Sequence, residues 1–317
     1  MTDMEYVAME KSTIVRSRKE PRLLPLARLG NRALSGLAPS LAVRLAERLF
    51  LTPPRPRRPA VEIDLLATAR ARPLHVRGRR LEMWTWGAGP GVLLVHGWGG
   101  RGAQLGAFVE PLVAQGFSVV AFDGPGHGAA DAGMVTLPEM VAAVRAVAAA
   151  SGPLAGLVAH SMGAAAAALA LSEGLRVGTA VFVGPAADLV AAASRFTGTL
   201  GFSREVGERM RRRIEQRVGR SFSAFDVAAL APALRVPLLV VHDRGDAEVP
   251  WQHGVAVARA WPGAELLLTD GLGHRRILRD ADVVAAAAAF IAARTAERRL
   301  TPRADADLVE SLPALAY

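Results

Sequence analysis

The chain has 317 residues and a formal net charge of +9; 51% of residues are hydrophobic and 21% charged, which excludes a disordered chain. At about 150 residues per domain the length allows one or two domains, and it buries enough surface to fold without staples. There is no cysteine, which excludes a disulfide scaffold, a thiolate metal site and a cysteine nucleophile and fits a reducing compartment.

Charge is uneven. Residues 1–80 hold 17 Lys/Arg and 7 Asp/Glu, whereas residues 81–317 hold 21 and 22. A basic stretch suits phosphate or anionic lipid; its plainer reading is a solvated, partly helical arm. Residues 1–20 are polar and charged, with no apolar core of a signal peptide, and read as poorly ordered. Between residues 22 and 50, Leu41, Leu45 and Leu49 recur every four residues beside Ala42 and Ala46, which predicts an amphipathic helix. Its stripe is expected to pack on the protein's own core, with peripheral membrane contact by residues 22–50 as the alternative. Pro53, Pro54, Pro56 and Pro59 predict an extended linker. Residues 1–60 thus form a basic N-terminal extension.

Residues 61–300 change pattern. Two short strands, 73–77 and 80–86, flank Gly78-Arg79 as a hairpin. Apolar runs at 91–96, 117–122, 154–160, 179–183, 237–242 and 264–269 then alternate with helical segments. Leu105, Phe108, Val109, Leu112 and Val113 share one face of the first such helix. Continuous apolar strands separated by amphipathic helices predict an α/β fold, a doubly wound, mostly parallel sheet covered on both faces. About fifty residues separate the strands ending at 183 and beginning at 237, more than a simple crossover needs. With Val206, Met210 and Ile214 on one stripe of a helix over 203–217, they read as a helical lid over about residues 185–235, at the carboxyl edge of the sheet where such folds bind ligands. Residues 301–317 read as a C-terminal tail. The longest charge-free stretch, between Arg145 and Glu173, is broken by Gly152, Pro153, Gly156 and His160, so no bilayer span is expected. The expectation is a soluble, cytoplasmic protein.

The chemistry centres on Ala159-His160-Ser161-Met162-Gly163. An apolar strand runs into a serine, an Ala-rich helix follows over 164–171, and small residues stand two before and two after. That is the geometry of a nucleophile elbow, which lifts the serine out of the sheet at a helix N-terminus; a helix-capping serine is the plainer alternative. A second strand ends in His96-Gly97-Trp98-Gly99-Gly100, a loop whose amides can face a reaction centre, and it lacks the Gly-Lys-Ser/Thr of a phosphate loop. Asp123-Gly124-Pro125-Gly126-His127-Gly128 reads as a turn fixed by Asp123 and His127. After the apolar strand ending at His242 comes a carboxylate-rich loop with Asp243 and Asp246. After the final strand, Gly271-Leu272-Gly273 leads to His274.

These segments, in this order and over about residues 73–300, resemble the α/β-hydrolase superfamily. The resemblance implies a triad of Ser161, Asp246 and His274, in the chain order that fold uses. Asp243 stands where the family usually has Gly and is a rival acid, as is Asp188 after the preceding strand. The implied oxyanion donors are the backbone N–H groups of Trp98 and Met162. His96 and His160 are expected to be structural. Ser161 argues against the family's dehalogenases and epoxide hydrolases, whose nucleophile is Asp. No metal or cofactor is implied, and H-E-x-x-H is absent.

The implied activity is hydrolysis of a small-molecule carboxylic ester through an acyl-enzyme. Trp98 and Met162 beside the serine suggest an apolar wall suited to short-to-medium acyl or aryl groups. Phe196, Leu200, Phe202 and Met210 are candidates for an apolar ceiling, or only pack the lid on the domain. Thioester cleavage, acyl transfer, peptide hydrolysis and C–C bond hydrolysis could run on the same triad, and a non-catalytic scaffold is a further alternative. No nucleic-acid motif is present, and the oligomeric state stays open.

Overall fold

The computed structural model describes the backbone of residues 7–9 and 23–300. The tail at 301–317 and most of residues 1–20 lie outside the described residues. Nine strands make one sheet: β1 (Val7–Met9), β2 (Arg70–Val76), β3 (Arg79–Trp86), β4 (Gly91–Val95), β5 (Ser118–Asp123), β6 (Leu154–His160), β7 (Val177–Val183), β8 (Leu238–Asp243) and β9 (Glu265–Thr269). Their spatial order is β1-β9-β8-β7-β6-β4-β5-β3-β2. β3 pairs antiparallel with β2 and β5, and the other pairs are parallel. The β2–β3 hairpin turns on Arg77 and Gly78, both at positive φ (51° and 77°), as a two-residue primed turn requires.

The described helices are α1 (Leu24–Leu37), α2 (Pro39–Leu51), α3 (Ala60–Ala67), α4 (Val109–Ala114), α5 (Leu137–Ser151), α6 (Met162–Ser172), α7 (Leu189–Thr199), α8 (Arg204–Val218), α9 (Val227–Leu230), α10 (Gln252–Ala260), α11 (Gly273–Arg276) and α12 (Ala281–Leu300). Successive strand residues feed opposite cores. Leu93 and Val95 of β4 join Leu157 of β6 and Phe182 of β7 in one cluster, with α5, α6 and α10. Val92, Leu94, Val158 and Val181 enter a second, with α4 and α12. This two-sided burial explains why the strands read as unbroken apolar runs.

Two helix expectations are corrected. Residues 102–114 form a 3₁₀ helix, Gly102–Phe108, with non-helical backbone at Leu105, before α4. Even so, Leu105, Phe108, Val109 and Leu112 are all buried. The N-terminal helix is two helices, broken at Ala38 (φ −143°, ψ 66°) ahead of Pro39, because proline disfavours helical backbone in the residue before it. Its buried face also differs: Ala42, Val43, Ala46, Glu47 and Leu51 are buried, while Leu41 and Leu49 are 56% and 41% exposed. α2 packs against α8, and the small Ala42 and Ala46 face the contact that leucines were expected to fill.

Residues 23–60 are therefore not a solvated arm. The Arg28 Nε and Asn31 Nδ2 of α1 donate to the carbonyls of Thr199 and Leu200 (2.9 and 2.8 Å), and Ser203 N donates to Ser35 Oγ (3.2 Å). Buried Glu47 pairs with Arg213 and Arg217 of α8. Residues 53–59 carry no regular secondary structure. Arg58 pairs with Asp123, and Glu62 of α3 pairs with Arg101. Between β7 and β8, residues 184–237 fold into α7, α8, α9 and two 3₁₀ turns. Among the described residues no helix is long and apolar enough to cross a membrane.

Candidate active site

Ser161 links β6 to α6 with φ 54° and ψ −123°, a backbone region that costs a non-glycine residue of order 1–3 kcal/mol. The surrounding bonds enforce it. Ser161 N donates to Val183 O (3.0 Å), and its carbonyl accepts from Ala164 N (3.0 Å) and Ala186 N (3.2 Å). The turn is crowded. A Cβ on Gly163 would lie 2.5 Å from His96 O, and one on Gly97 would lie 2.8 Å from Ser161 Cβ. Both positions need glycine because two chain segments meet there without room for a side chain. Ala159 is fully buried and accommodated.

Met162 is the first residue of α6, so its amide has no acceptor within the helix. Trp98 sits in a loop closed by Gly100 N donating to Gly97 O (3.0 Å). His96 ties this loop down: its Nδ1 bonds Gly97 O (2.8 Å), and its Nε2 accepts from Gly124 N (2.8 Å). Burial pushes its pKa down to about 4, so the ring is neutral, with the proton on Nδ1. The tethers at the other end are Asp123, whose carboxylate accepts from Gly102 N (2.9 Å) and Ala129 N (2.6 Å) and pairs with Arg58, and the bidentate Glu62–Arg101 pair.

His274 is the second residue of α11, after the β9 loop, and its Nδ1 meets Asp246 Oδ2 at 2.7 Å. Asp246 Oδ1 accepts from Glu248 N and Val249 N, both at 2.8 Å, and His242 Nε2 lies 3.3 Å from Oδ2. Burial opposes the charge on Asp246, yet the hydrogen bonds from His242 and His274 outweigh it and hold the carboxyl well below the usual carboxylate range. The rival acids do other work. Asp243 accepts from Gly245 N, Thr269 Oγ1 and Leu272 N (2.8–2.9 Å), which shapes the loop leading to His274. Asp188 caps α7 through Ala191 N (2.9 Å).

Ser161 and His274 open onto one cavity of about 640 Å³, which Trp98 and Met162 also line. Its walls come from three parts of the chain: the strand-end loops, α7 and α8, and the N-terminal segment through Phe50, Leu51, Pro54 and Pro56.

The alpha/beta hydrolase family profile matches residues 92–287. The chain belongs to the alpha/beta hydrolase family. No curated protein sequence matches it. Solved structures share the fold at low identity. An esterase from Pyrococcus furiosus is 19% identical, with a TM-score of 0.56 over 78% of this chain and 97% of that one. A thermophilic esterase from Thermogutta terrifontis is 21% identical (TM-score 0.54, 72% and 99% covered). A thioesterase domain from the curacin biosynthetic pathway is also 21% identical (0.52, 70% and 99%). At such identities the likeness speaks for the fold alone.

Within this hydrolase fold, the structure brings Ser161, His274, Trp98 and Met162 to one cavity, and Asp246, buried off the cavity wall, joins them through its bond to His274. It does not bring all four ceiling residues there. Phe196 lines the cavity, but Leu200, Phe202 and Met210 do not. Met210 is fully buried on the stripe of α8, which packs against both α2 and α7. The helices of the N-terminal segment take up the apolar face that a free-standing lid would have turned toward substrate.

Sequence reasoning missed two contributors, Phe50 and His242, and read a third, His160, as structural. Phe50 of α2 packs edge-on against Phe196 (5.2 Å) and stacks with Phe222 (6.1 Å), which completes an aromatic roof; nothing local marks it. His242 supports Asp246, and its spacing four residues before the acid was a signal that could have found it. His160 Nε2 bonds the carbonyl of His274 (2.9 Å), and the two rings lie 4.5 Å apart. Burial, helped by the neighbouring His274, pushes its pKa down to about 3, so His160 braces His274 as a neutral ring.

Proposed function

We propose that this chain is a serine hydrolase that cleaves a carboxylic ester of short-to-medium acyl or aryl type through an acyl-enzyme. The observation that carries the reading is the pairing of a strained Ser161 at a strand–helix junction with a His274–Asp246 hydrogen bond facing the same cavity. In this reading His274 Nε2 takes the Ser161 proton as Oγ attacks the ester carbonyl. Asp246 keeps the proton of His274 on Nδ1 and stabilises the imidazolium that forms. The amides of Trp98 and Met162 receive the oxyanion, where one such donor is worth roughly 2.7–4 kcal/mol. His274 then returns the proton to the leaving alkoxide, and water activated by the same imidazole releases the acid.

The cavity volume lies within the range of about 300–1,000 Å³ typical of small-molecule sites, which favours a medium-sized ester over a long-chain lipid. Residues 185–235 serve in this reading as a lid, with Phe196 facing the acyl or aryl group. Thioester cleavage is the second reading, favoured by the thioesterase domain among the structural relatives; it uses the same groups. The test is labelling with a fluorophosphonate probe alongside turnover of a p-nitrophenyl ester panel, with Ser161→Ala as control. Labelling with ester turnover, both abolished in the variant, is the expected result. Labelling without ester turnover points to the thioester reading, and absence of labelling refutes the serine mechanism.

A further inference from the structure

We propose that the cavity carries an anion subsite formed by Arg276 and Arg279, so that the substrate is an ester bearing a carboxylate or phosphate; this rests on the serine-hydrolase reading above. Four arginines line the cavity: Arg101, Arg275, Arg276 and Arg279. Two are already matched. Buried Glu62 holds Arg101 bidentately, and Glu248 holds Arg275 through both oxygens (2.9 and 3.2 Å). Arg276 spends one Nη on the carbonyl of Gly271 (2.5 Å). Arg279 makes a long ion pair with that same Glu62, at 3.9 Å, and Glu62 is already engaged by Arg101. Asp188 also lines the cavity, but its Oδ1 caps α7.

A guanidinium presents five donors in a planar fork that fits carboxylate and phosphate, and most of those of Arg276 and Arg279 are unspent among the described residues. The two stand three residues apart on the helical run that begins at Gly273, so they are neighbours on one side of it. The run is α11 followed by a 3₁₀ turn over Ile277–Arg279, and both arginines line the same cavity as Ser161 and His274. An anionic group on a substrate held in that cavity is what the pair accepts.

The test compares kcat/KM for p-nitrophenyl hemiglutarate with that for its neutral ω-methyl ester, and for the butyryl ester of glycerol 3-phosphate with that of glycerol. A preference in the first pair puts the anion on the acyl side; a preference in the second puts it on the alcohol side. We expect a charged-to-neutral ratio on the order of tenfold in one pair, the worth of one charge-assisted hydrogen bond. It should shrink with added salt and collapse toward unity in Arg276→Gln/Arg279→Gln. Ratios near unity in both pairs, or a ratio the double variant leaves intact, overturn the subsite while the serine-hydrolase reading stands. Absence of both probe labelling and turnover sinks the two together.

A separate observation concerns α1. Leu23, Leu26, Leu29 and Leu37 are 66–88% exposed, and Leu41 is 56% exposed, although the opposite face of α1 is bonded to the ends of α7 and α8. Between residues 22 and 60 the sequence has eight arginines and one acidic residue, Glu47, which is buried and paired; of the eight, Arg58 pairs with Asp123, and Arg28 and Arg55 donate to main-chain carbonyls. We infer that this face docks on an anionic lipid surface, with leucines in the acyl boundary and arginines at the headgroups. A second copy would set like charge against like. The test is co-sedimentation of the full chain with phosphatidylserine-containing vesicles and with pure phosphatidylcholine vesicles. Binding to the anionic vesicles alone, lost in Leu26→Gln/Leu29→Gln, supports the surface. No binding, binding that the leucine variant leaves unchanged, or a dimer in solution that this variant dissociates overturns it.

Discussion

The strand-end loops and the N-terminal segment line the same cavity, but they came to it by different routes. The loops carry Ser161, His274 and Asp246 directly beyond β6, β9 and β8, so a few residues on either side suffice to define each turn. The N-terminal segment reaches the cavity from a distance: α1 and α2 clasp α7 and α8, the prolines lie along the loop at Gly99, and Glu62 grips Arg101. The contrast teaches that the chemistry of this protein is local and its enclosure is not. Perturbing the first region should remove turnover from a folded protein; perturbing the second should change stability and substrate choice.

The largest effect is expected at the nucleophile. Ser161→Ala should lower kcat by 10⁴-fold or more, on the order seen when a triad is disabled, with a nearly unchanged thermal midpoint, because alanine keeps the Cβ and with it the strained backbone. Asp246→Asn should cost on the order of 10³–10⁴ in kcat, because the wrong tautomer of His274 is favoured. Asp243→Asn should instead lower the denaturation midpoint and cost far less in kcat. Steady-state kinetics and urea titrations on the pair distinguish the two acids, and comparable kcat losses would blur the comparison.

The N-terminal region is tested next. Arg101→Ala strands the Glu62 carboxylate in a buried site and should destabilise by about 3–5 kcal/mol. Removing both charges, as Glu62→Met/Arg101→Met, should recover much of that stability but not the turnover that depends on the placement of Gly97–Gly100. A double variant with wild-type kcat would show that the clasp serves folding alone.

Protonation gives a smaller and broader effect. Burial holds His96 near 4 and His127 and His160 near 3, against 6.5 for a free imidazole. The unfolded chain therefore binds more protons in this range. Stability from these rings is fully present above pH 6.5 and is lost as pH falls toward 4, by up to about 1.4 kcal/mol per pH unit for each ring. Urea midpoints measured across that window should fall steadily with acid. The smallest effect is expected at the roof: Phe50→Ala should lower kcat/KM for aryl esters a few-fold through loss of the contact with Phe196, worth about 0.5–1.5 kcal/mol beyond its area, while leaving acetate-sized esters nearly untouched.

The sheet and the tight turns at its edge are legible in neighbouring residues alone. Unbroken apolar runs could only be strands covered on both faces, and Ala159, Gly163 and Gly97 had to be small because main chains meet there without room for a side chain. The family resemblance pointed to His274 and Asp246 but left Asp243 and Asp188 as rival acids, and the bond from His274 to Asp246 is a tertiary contact. What closes the cavity is set by packing between distant segments. A helix such as α2 declares that it has an apolar face but not which partner covers it, and the partner fixed which residues are buried. Ala42 and Ala46 went inward and Leu41 outward because α8 approaches closely there. Met210 turned away from the cavity because α2 and α7 offered it apolar surface. Periodicity is encoded in neighbours along the chain, whereas packing depends on surfaces more than a hundred residues apart.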